Sequence, residues 1–357
     1  MVKRSRSKQS LAKATSQFLK LQRDLAHKAQ TMIPQQLKAA NVLLTKPDPK
    51  NRGVWKKHVF IAPAFDQNKL ISKLDYYIFK PSATVRNPNT KGMPLVVMLH
   101  GCHQDAPLFA QGTQMNVVAQ RNGFVVLYPQ QSRLNHITKC WRWHDLDDAA
   151  GMAEAHTIMK IIHSTVVMHD LDPKKVFIAG LSAGAAMAGV LAASFPEQFA
   201  AVAMHSCPVL GRAHDALTAV KVMKDDLLDS DQALVSYITA LNPKQQDIIP
   251  TMIIQGERDM VIHQRNANEL VKQFLYLNKL PMNTRGISRR YFPQSNKEYS
   301  QTIYRAGAKR ILELIRIKRL DHAWAGGDDS FPFNSKYGPN SSQLIWQFFK
   351  RHLPKKN

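Results

Sequence analysis

The sequence predicts an α/β protein with a mostly parallel central sheet and helices on both faces of the sheet. From residue 75 onward, short apolar runs alternate with segments long enough to form crossover helices. The central runs, such as PLVVMLH, GFVVLYP and KVFIAG, are almost continuously apolar, which is typical of parallel strands buried on both faces. A chain of 357 residues, 44% of them hydrophobic, is also long enough to bury a large core.

The first 60 residues differ in character from the rest, so we place a basic N-terminal extension at residues 1–60 and the α/β domain at residues 61–357. In the extension, apolar or small residues recur at helical spacing at Leu11, Ala14, Phe18, Leu21, Leu25 and Met32. This pattern predicts an amphipathic helix. The helix either packs on the protein's own core or a second copy, or attaches to an apolar, anionic surface such as a lipid-coated particle.

The net charge of +23 is concentrated in two segments. Residues 1–60 hold 14 Lys and Arg against 2 Asp, and residues 281–320 hold 10 Lys and Arg against 2 Glu. The two segments contribute +12 and +8, which is 20 of the 23 net charges. Such patches attract a polyanion or an anionic surface, although a gain in solubility explains them equally well. No recognised motif for specific nucleic-acid binding accompanies them.

The cysteines and the N-terminus bear on the compartment. Cys102, Cys140 and Cys207 are odd in number and widely spaced, so the residues alone predict neither a disulfide framework nor a metal site, and no cofactor is predicted. The N-terminus lacks the apolar block of a secretory signal, although its basic composition also resembles an organellar transit peptide. No stretch approaches the roughly 20 apolar residues of a membrane span. We expect a cytoplasmic protein without a transmembrane segment.

The stretch KVFIAGLSAGAAMAG places Ser182 between Gly180 and Gly184, where an apolar strand gives way to an alanine-rich helix. This is the strand, tight turn and helix context of a nucleophile elbow, with the pattern G-x-S-x-G. The sharp turn forces the serine into a strained backbone conformation, and the two glycines let strand and helix approach closely. A serine that only caps the helix is the alternative, but a cap needs no flanking glycines.

A serine hydroxyl is a weak nucleophile at neutral pH, so it needs a base and an acid that orients the base. Two later strands end in suitable side chains: TMIIQGERDM carries Glu257 and Asp259, and ILELIRIKRLDH carries His322. The order serine, acid, histidine along the chain is that of α/β-hydrolases. We prefer Asp259 as the acid because it lies farther beyond its strand, although spacing alone leaves Glu257 open.

Acyl transfer at the serine also needs hydrogen-bond donors for the oxyanion, and we expect one to be the N–H of Ala183. The run PLVVMLHGCHQD offers the second, because a glycine lets the chain turn and present the N–H of Cys102. The residues predicted to bind the substrate are His100, Gly101, Trp141, Trp143 and Trp324. Ordinary core burial is the alternative for the tryptophans of CWRWHD.

Several stretches within residues 74–353 carry a family resemblance. They are PLVVMLHGCHQD, FVVLYPQQ, CWRWHD, VFIAGLSAGAAMAGVLAASFPEQFAAVA, DMVIHQRNA and LDHAWAGGD. Together they resemble the esterase family that includes poly(3-hydroxybutyrate) depolymerases and feruloyl or acetylxylan esterases. The resemblance implies an α/β-hydrolase fold with Ser182 as nucleophile, Asp259 as acid and His322 as base. It also places the N–H of Cys102 in the oxyanion hole.

The chain departs from the family pattern in the loop that carries the histidine. Asp321 stands where the family commonly has a glycine, and a carboxylate beside His322 competes with Asp259 for the imidazole. In the family, the cysteines that match Cys102 and Cys140 often lie near each other. The resemblance therefore implies a bridge between them, which a reducing compartment would disfavour.

These observations predict a serine carboxyl-ester hydrolase that acts through an acyl-enzyme, with poly(3-hydroxybutyrate) or its oligomers as the substrate. The basic N-terminal helix suits attachment to a polymer storage granule, and it also allows a homo-oligomer. Two alternatives remain open. One is an esterase of small acyl, feruloyl or acetyl esters, and the other is an inactive protein of the same fold that binds granules or polyanions.

Overall fold

The computed structural model describes most of the chain beyond residue 52. The described ranges are 53–66, 70–82, 91–146, 150–224, 229–244 and 247–354. The amphipathic helix predicted in the N-terminal extension lies outside the described residues, so it stays a prediction.

A ten-stranded sheet forms the centre of the described structure. Its strands are β1 (Val54–Ile61), β2 (Lys73–Lys80), β3 (Leu95–Leu99), β4 (Val125–Gln130), β5 (Val176–Leu181), β6 (Ala201–His205), β7 (Thr251–Gly256), β8 (Ile287–Tyr291), β9 (Tyr299–Ala306) and β10 (Lys309–Ile317). They lie in the order β1-β2-β4-β3-β5-β6-β7-β10-β9-β8. The six strands from β4 to β10 in this order pair in parallel, which confirms the predicted mostly parallel sheet.

The outer strands of the sheet are antiparallel, and three of them were not predicted. β1 pairs with β2 at one edge, and β8 and β9 extend the other edge beyond β10. The sheet therefore begins at residue 54, before the predicted start of the α/β domain at residue 61. β1 and β8 are missing from the prediction because they lie at exposed edges and carry many charged residues, as in VWKKHVFI and ISRRY, instead of an apolar run. β9 pairs on both sides, and its sequence YSQTIYRA was missed because polar residues interrupt it.

Helices cover both faces of the sheet, as predicted. They are α1 (Ala106–Thr113), α2 (Met115–Asn122), α3 (Ala150–Met168), α4 (Ala183–Ser194), α5 (Ala216–Lys224), α6 (Asp231–Leu241), α7 (Arg265–Leu277) and α8 (Ser341–Arg351). Within the described ranges, none of them combines the length and the apolar character that crossing a membrane requires.

Two hydrophobic clusters form the core, one on each face. Successive side chains of a strand point to opposite faces, so Val97 of β3 joins one cluster and Val96 joins the other. The first cluster includes side chains of α3, α4 and α7, and the second includes side chains of α1, α2 and α8. Residues 183–193 of α4 are all buried, which is why this helix is rich in alanine and glycine instead of being amphipathic.

The carboxyl ends of the parallel strands lie at one edge of the sheet, where ligand sites form in such folds. Loops that leave this edge hold Cys102 after β3, Ser182 after β5, Asp259 after β7 and His322 after β10. A small parallel pair, β11 (Trp324–Ala325) with β12 (Asn334–Ser335), follows the last of these loops. The topology thus brings four loops that are distant in sequence to one edge.

Candidate active site

Ser182 occupies a strained turn between β5 and α4. Its backbone has φ 56° and ψ −122°, a region that non-glycine residues rarely enter. Its N–H donates to the carbonyl oxygen of His205 on β6 at 2.9 Å, and its own carbonyl accepts from the N–H of Ala186 at 3.0 Å. Its side chain makes no capping hydrogen bond to the helix. The hydroxyl is therefore not used as a helix cap, and the turn holds it at the end of the strand.

The two glycines that flank the serine allow strand and helix to approach closely. A Cβ atom on Gly180 would overlap the carbonyl group of Gly184, and one on Gly184 would overlap the carbonyl oxygen of Leu99 on β3. Both obstacles are backbone atoms, which cannot move aside as a side chain can. The close approach predicted from G-x-S-x-G is present, because no larger residue fits at either position.

Asp259 and His322 form a buried hydrogen-bonded pair beside this turn. Oδ2 of Asp259 lies 2.9 Å from Nδ1 of His322, while Oδ1 accepts from the backbone N–H groups of Val261 at 2.9 Å and Ile262 at 2.8 Å. Burial alone raises the pKa of Asp259, but the charge and hydrogen bond of His322 and the two backbone donors outweigh it and leave the pKa below its usual value. The aspartate is therefore held as a carboxylate that faces the imidazole.

The other carboxylates that the sequence left open lie elsewhere. Glu257 points to Lys318, with its carboxylate 3.6 Å from the ammonium group. Asp321, which precedes His322, is exposed to solvent. Of these carboxylates, only that of Asp259 has a recorded hydrogen bond to the imidazole in the part of the chain that the structure describes.

Ser182 and His322 line one cavity of about 160 Å³ at the carboxyl edge of the sheet. Each of the two residues is 9% exposed, so the cavity gives limited access to both side chains. The structure thus places the predicted serine, histidine and aspartate at one site, with the aspartate buried behind the histidine.

The predicted oxyanion donors lie on either side of the serine. Ala183 is the first residue of α4, so its N–H lies at the positive end of the helix dipole. On the other side, the N–H of Gly101 donates to Oε1 of Gln104 at 2.9 Å, whereas the N–H of Cys102 has no recorded partner among the described residues. A Cβ on Gly101 would lie 3.5 Å from Cβ of Ser182, which shows how near this loop comes to the serine.

The structure divides the residues that the sequence assigned to substrate binding. Gly101, Trp141 and Trp143 line the cavity. His100 and Trp324 are fully buried and do not line it, so their predicted contact with substrate is corrected. Both rings are turned into the protein interior. The His100 ring is hydrogen-bonded to backbone groups of Gly101 and Gln131. Trp324 stacks on His205 and donates from Nε1 to the hydroxyl of Ser342 at 3.2 Å.

Other residues of the cavity wall escaped the sequence analysis. They are Gln104, His136, His144, Leu181, Pro208, Ala216, Ala219, Met223, Val261 and Phe333. Most of them come from loops and short helical segments, where no periodic pattern marks the residues that face a cavity. His144 lies within the CWRWHD motif and His136 four residues before it, and that proximity was the one local signal available.

A disulfide joins Cys102 to Cys140, with the Cα atoms 4.3 Å apart. The residue-based expectation of no disulfide is therefore wrong, and the bridge implied by the family resemblance is present. The two cysteines are 38 residues apart in sequence, but they lie in loops that follow β3 and β4, which are neighbours in the sheet. The bridge links the loop that carries the predicted oxyanion donor to the segment with Trp141 and Trp143, which form the tryptophan wall of the cavity. Cys207 is free and buried.

The comparisons with known proteins agree with this architecture. Poly(3-hydroxyalkanoate) depolymerase C of Paucimonas lemoignei is 32% identical over 191 residues, which is 51% of this chain and 44% of that protein. The chain thus spans less than half the length of that relative. Feruloyl esterase B of Neurospora crassa is 25% identical over 246 residues, or 66% of this chain and 79% of that protein.

Among solved structures, an acetyl xylan esterase from Aspergillus awamori superposes with a TM-score of 0.67 at 19% identity, covering 84% of this chain and 99% of that chain. At this identity the likeness shows the fold, which is the α/β-hydrolase fold predicted from the sequence. The family described as Esterase PHB depolymerase matches residues 74–294, well over half of the chain. The protein therefore belongs to the PHB depolymerase esterase family.

Proposed function

We propose that the protein is a serine carboxyl-ester hydrolase that works through an acyl-enzyme. The observation that carries the proposal is the 2.9 Å contact between Nδ1 of His322 and Oδ2 of Asp259, with Ser182 on the wall of the same cavity. A hydrogen on Nδ1 that points at a carboxylate leaves Nε2 unprotonated and able to accept a proton from a hydroxyl group. Family membership supports the same reaction class.

In the first step of the proposed reaction, Nε2 of His322 takes the hydroxyl proton of Ser182 while Oγ attacks the ester carbonyl carbon. The carbonyl oxygen becomes an oxyanion that accepts from the N–H groups of Cys102 and Ala183. Each donor of this kind typically stabilises a transition state by about 3 kcal/mol. His322 then gives the proton to the departing alkoxide, and the acyl group stays on the serine oxygen.

In the second step, a water molecule gives its proton to His322 and attacks the acyl carbon, and the histidine returns that proton to Ser182 as the acid product leaves. Both steps pass through a protonated imidazole. The buried carboxylate of Asp259 stabilises that cation and keeps the ring in one orientation. No other group is required for the proton balance of the reaction.

The reaction class is tested with p-nitrophenyl butyrate. Replacing the nucleophile in Ser182→Ala is expected to lower kcat by about 10⁴-fold. The matched control is Ser194→Ala at the other end of α4, since the hydroxyl of Ser194 makes no hydrogen bond to any residue in the described ranges. Equal activity of wild type and Ser182→Ala would contradict the serine mechanism. An inactive wild type would favour the alternative of an inactive protein of the same fold that binds granules or polyanions.

For the substrate we propose poly(3-hydroxybutyrate) or its oligomers. The relative that shares 32% identity is named a poly(3-hydroxyalkanoate) depolymerase. The cavity is lined mainly by apolar side chains, among them Trp143 and Met223. On the loop that carries His136, Leu134 and Ile137 are 98% and 84% exposed. Apolar side chains held in water beside a cavity suit contact with a water-insoluble polymer.

A substrate panel separates this choice from its rivals. Amorphous poly(3-hydroxybutyrate), soluble 3-hydroxybutyrate oligomers, methyl ferulate and acetylated xylan are each offered to the wild type and to Ser182→Ala. We expect release of 3-hydroxybutyrate units from the first two at a higher kcat/KM than hydrolysis of the others. Faster hydrolysis of the feruloyl or acetyl ester would support the alternative esterase instead.

We also propose that the basic N-terminal segment attaches the enzyme to polymer granules. A chain lacking residues 1–45 should keep its activity on soluble esters and lose association with granules. Binding should weaken above about 0.15 M salt, where attraction between exposed charges is largely screened. Granule binding that survives the deletion would contradict the role of the segment. Binding by a protein that hydrolyses no ester would support the inactive binding protein.

The cytoplasmic location is likewise a proposal, and the cysteine pair offers a test of it. Disulfides persist in oxidising compartments and are rare in the cytosol, where thiols are kept reduced, so the bridge between Cys102 and Cys140 stands against this location. In a cytoplasmic protein, alkylation inside intact cells should label Cys102 and Cys140. If cell fractionation recovers the protein only outside the cytoplasm, with both sulfurs protected from the reagent, the location is wrong.

A further inference from the structure

The buried carboxyl group of Glu154 is the centre of a hydrogen-bond network behind the cavity. Glu154 lies near the start of α3 and is 1% exposed. Its Oε1 accepts from the side-chain amide of Gln131 at 2.5 Å, and its Oε2 accepts from the backbone N–H of Arg142 at 2.7 Å. Burying a carboxyl group is costly unless its oxygens are hydrogen-bonded. Here both oxygens hold groups that belong to other segments of the chain.

Gln131, which directly follows β4, extends the network in two directions. Its side-chain amide also donates to the carbonyl oxygen of Cys140 at 3.1 Å, and its backbone N–H donates to Nε2 of His100 at 3.1 Å. Because a backbone N–H can only donate, Nε2 is the acceptor and the neutral ring carries its hydrogen on Nδ1. Nδ1 therefore donates to the carbonyl oxygen of Gly101 at 2.8 Å.

The network closes on the wall of the cavity. Nε1 of Trp141 donates to the backbone carbonyl oxygen of His100 at 3.0 Å, so the indole is held to the backbone just before Gly101. The segments joined in this way are the turn at Gly101, which presents the N–H of Cys102, and the chain around Trp141. Neither segment belongs to a helix or strand, so their positions depend on these hydrogen bonds and on the disulfide.

We propose that Glu154 is a positioning residue. Through Gln131 and His100 it fixes the oxyanion loop, which is the turn at Gly101 and Cys102, and the tryptophan wall. The inference rests on the proposed esterase function. Glu154 does not line the cavity, so it acts only through the groups that it holds.

The carboxyl group has two states near neutral pH. Burial raises the pKa of Glu154 to about 7, against the lowering effects of the Arg142 N–H, the Gln131 amide and the Arg142 guanidinium, while the charge of Asp145 adds to the rise. Arg142 and Asp145 are the charged groups that act on it. The ionised form accepts both N–H groups, whereas the protonated form carries a hydrogen that takes up part of its accepting capacity. Protonation of Glu154 therefore weakens its hydrogen bond either to the side-chain amide of Gln131 or to the backbone N–H of Arg142.

The test compares wild type with Glu154→Gln, because a glutamine resembles the protonated glutamate. We expect kcat for p-nitrophenyl butyrate to be about tenfold higher in the wild type at pH 8.5, since displacement of an oxyanion donor slows acyl transfer. The ratio of the two kcat values should fall towards one below pH 6, with a midpoint at about 7. Any dependence of kcat on pH that the two proteins share cancels in the ratio.

A matched control and a second variant complete the experiment. Glu197→Gln removes an exposed carboxylate and should leave the kcat ratio near one at every pH. Gln131→Met removes the side-chain amide but keeps the backbone N–H, and in a folded protein it should also lower kcat at pH 8.5. If Glu154→Gln does not fold, kcat of the Gln131→Met variant at pH 8.5 tests the proposal instead.

The possible failures are distinguishable. A ratio of kcat values that does not change with pH overturns the positioning role, even if Glu154→Gln lowers the melting temperature. Unchanged kcat in folded Gln131→Met overturns it as well. An inactive wild type overturns the proposed function, and this inference with it.

Discussion

At the scale of single residues, Asp259 is fixed by more than its partner histidine. One carboxylate oxygen takes two backbone N–H groups, and the other is left for the imidazole at 2.9 Å. This division prevents the carboxylate from rotating, so it can hold only one tautomer of His322. The orientation of the ring thus follows from the fold of the loop after β7, in which Val261 and Ile262 provide the donors.

Replacing this acid gives the first prediction. Asp259→Asn keeps the size of the side chain but exchanges an acceptor for a donor, which favours the wrong tautomer of the histidine. We expect kcat on p-nitrophenyl butyrate to fall by about 10³- to 10⁴-fold with little change in melting temperature. The matched control is Glu257→Gln, whose carboxylate faces Lys318 and should contribute little. A larger loss in Glu257→Gln than in Asp259→Asn would transfer the role of the acid to Glu257.

Local sequence context predicts where the candidate site lies, but it does not predict whether each side chain faces the cavity or is buried in the core. Ser182, Asp259 and His322 each follow an apolar strand closely, so the fold class alone places them at one edge of the sheet. His100 and Trp324 lie in the same kind of position, yet they are buried behind the cavity wall. Whether a side chain faces a cavity or the core depends on packing by distant segments, which no local pattern records.

At the scale of elements, buried strands could be predicted from the sequence and exposed edge strands could not. β3, β5, β6 and β7 are buried at every position, and the apolar residues that make up most of each strand identify them. β1 and β8 carry mixed polar sequences because they lie at the two edges of the sheet, where charged side chains oppose the further strand pairing that exposed backbone groups would otherwise allow. Their pairing is set by the neighbouring strand, so it could not be read from their own residues.

The bridge between the loops after β3 and β4 gives the second prediction. Replacing both Cys102 and Cys140 by alanine removes a crosslink that spans 38 residues, which should lower the free energy of unfolding by about 2–4 kcal/mol. It should also lower kcat more than it raises KM, because the N–H of Cys102 is the proposed oxyanion donor. Urea unfolding and p-nitrophenyl butyrate kinetics measure the two effects.

Cys207→Ala is the matched control for the disulfide variant, since this cysteine is free and buried. It leaves the crosslink in place, and its effect on kcat should be small. If the double alanine variant retains the wild-type kcat, the disulfide does not position the oxyanion loop.

At the scale of the whole molecule, the buried interior of the protein encloses titratable groups whose neutral form it favours. Burial lowers the pKa of His100 to about 4 and that of His205 to about 3, because the charged imidazole loses its hydration. Burial acts in the opposite direction on Glu154, whose pKa rises to about 7. The free energy of unfolding must therefore depend on pH, and the histidines and Glu154 change it in opposite directions.

The last prediction follows from the sign of these shifts. Between pH 6.5 and 4.5 the unfolded chain binds protons at both histidines while the folded protein does not, so their contribution to stability is lost as the pH falls. Glu154 gains its proton in the folded protein first, which opposes the loss by one proton. At these three groups the net difference is one proton, which contributes about 1.4 kcal/mol per pH unit to the fall in the free energy of unfolding. His352, whose pKa burial lowers to about 4, acts in the same direction and makes the fall steeper. Urea unfolding at pH 7.5, 6.0 and 5.0 measures the slope, which should steepen in Glu154→Gln because the opposing group is gone. A slope of zero, or an unchanged slope in that variant, would contradict the prediction.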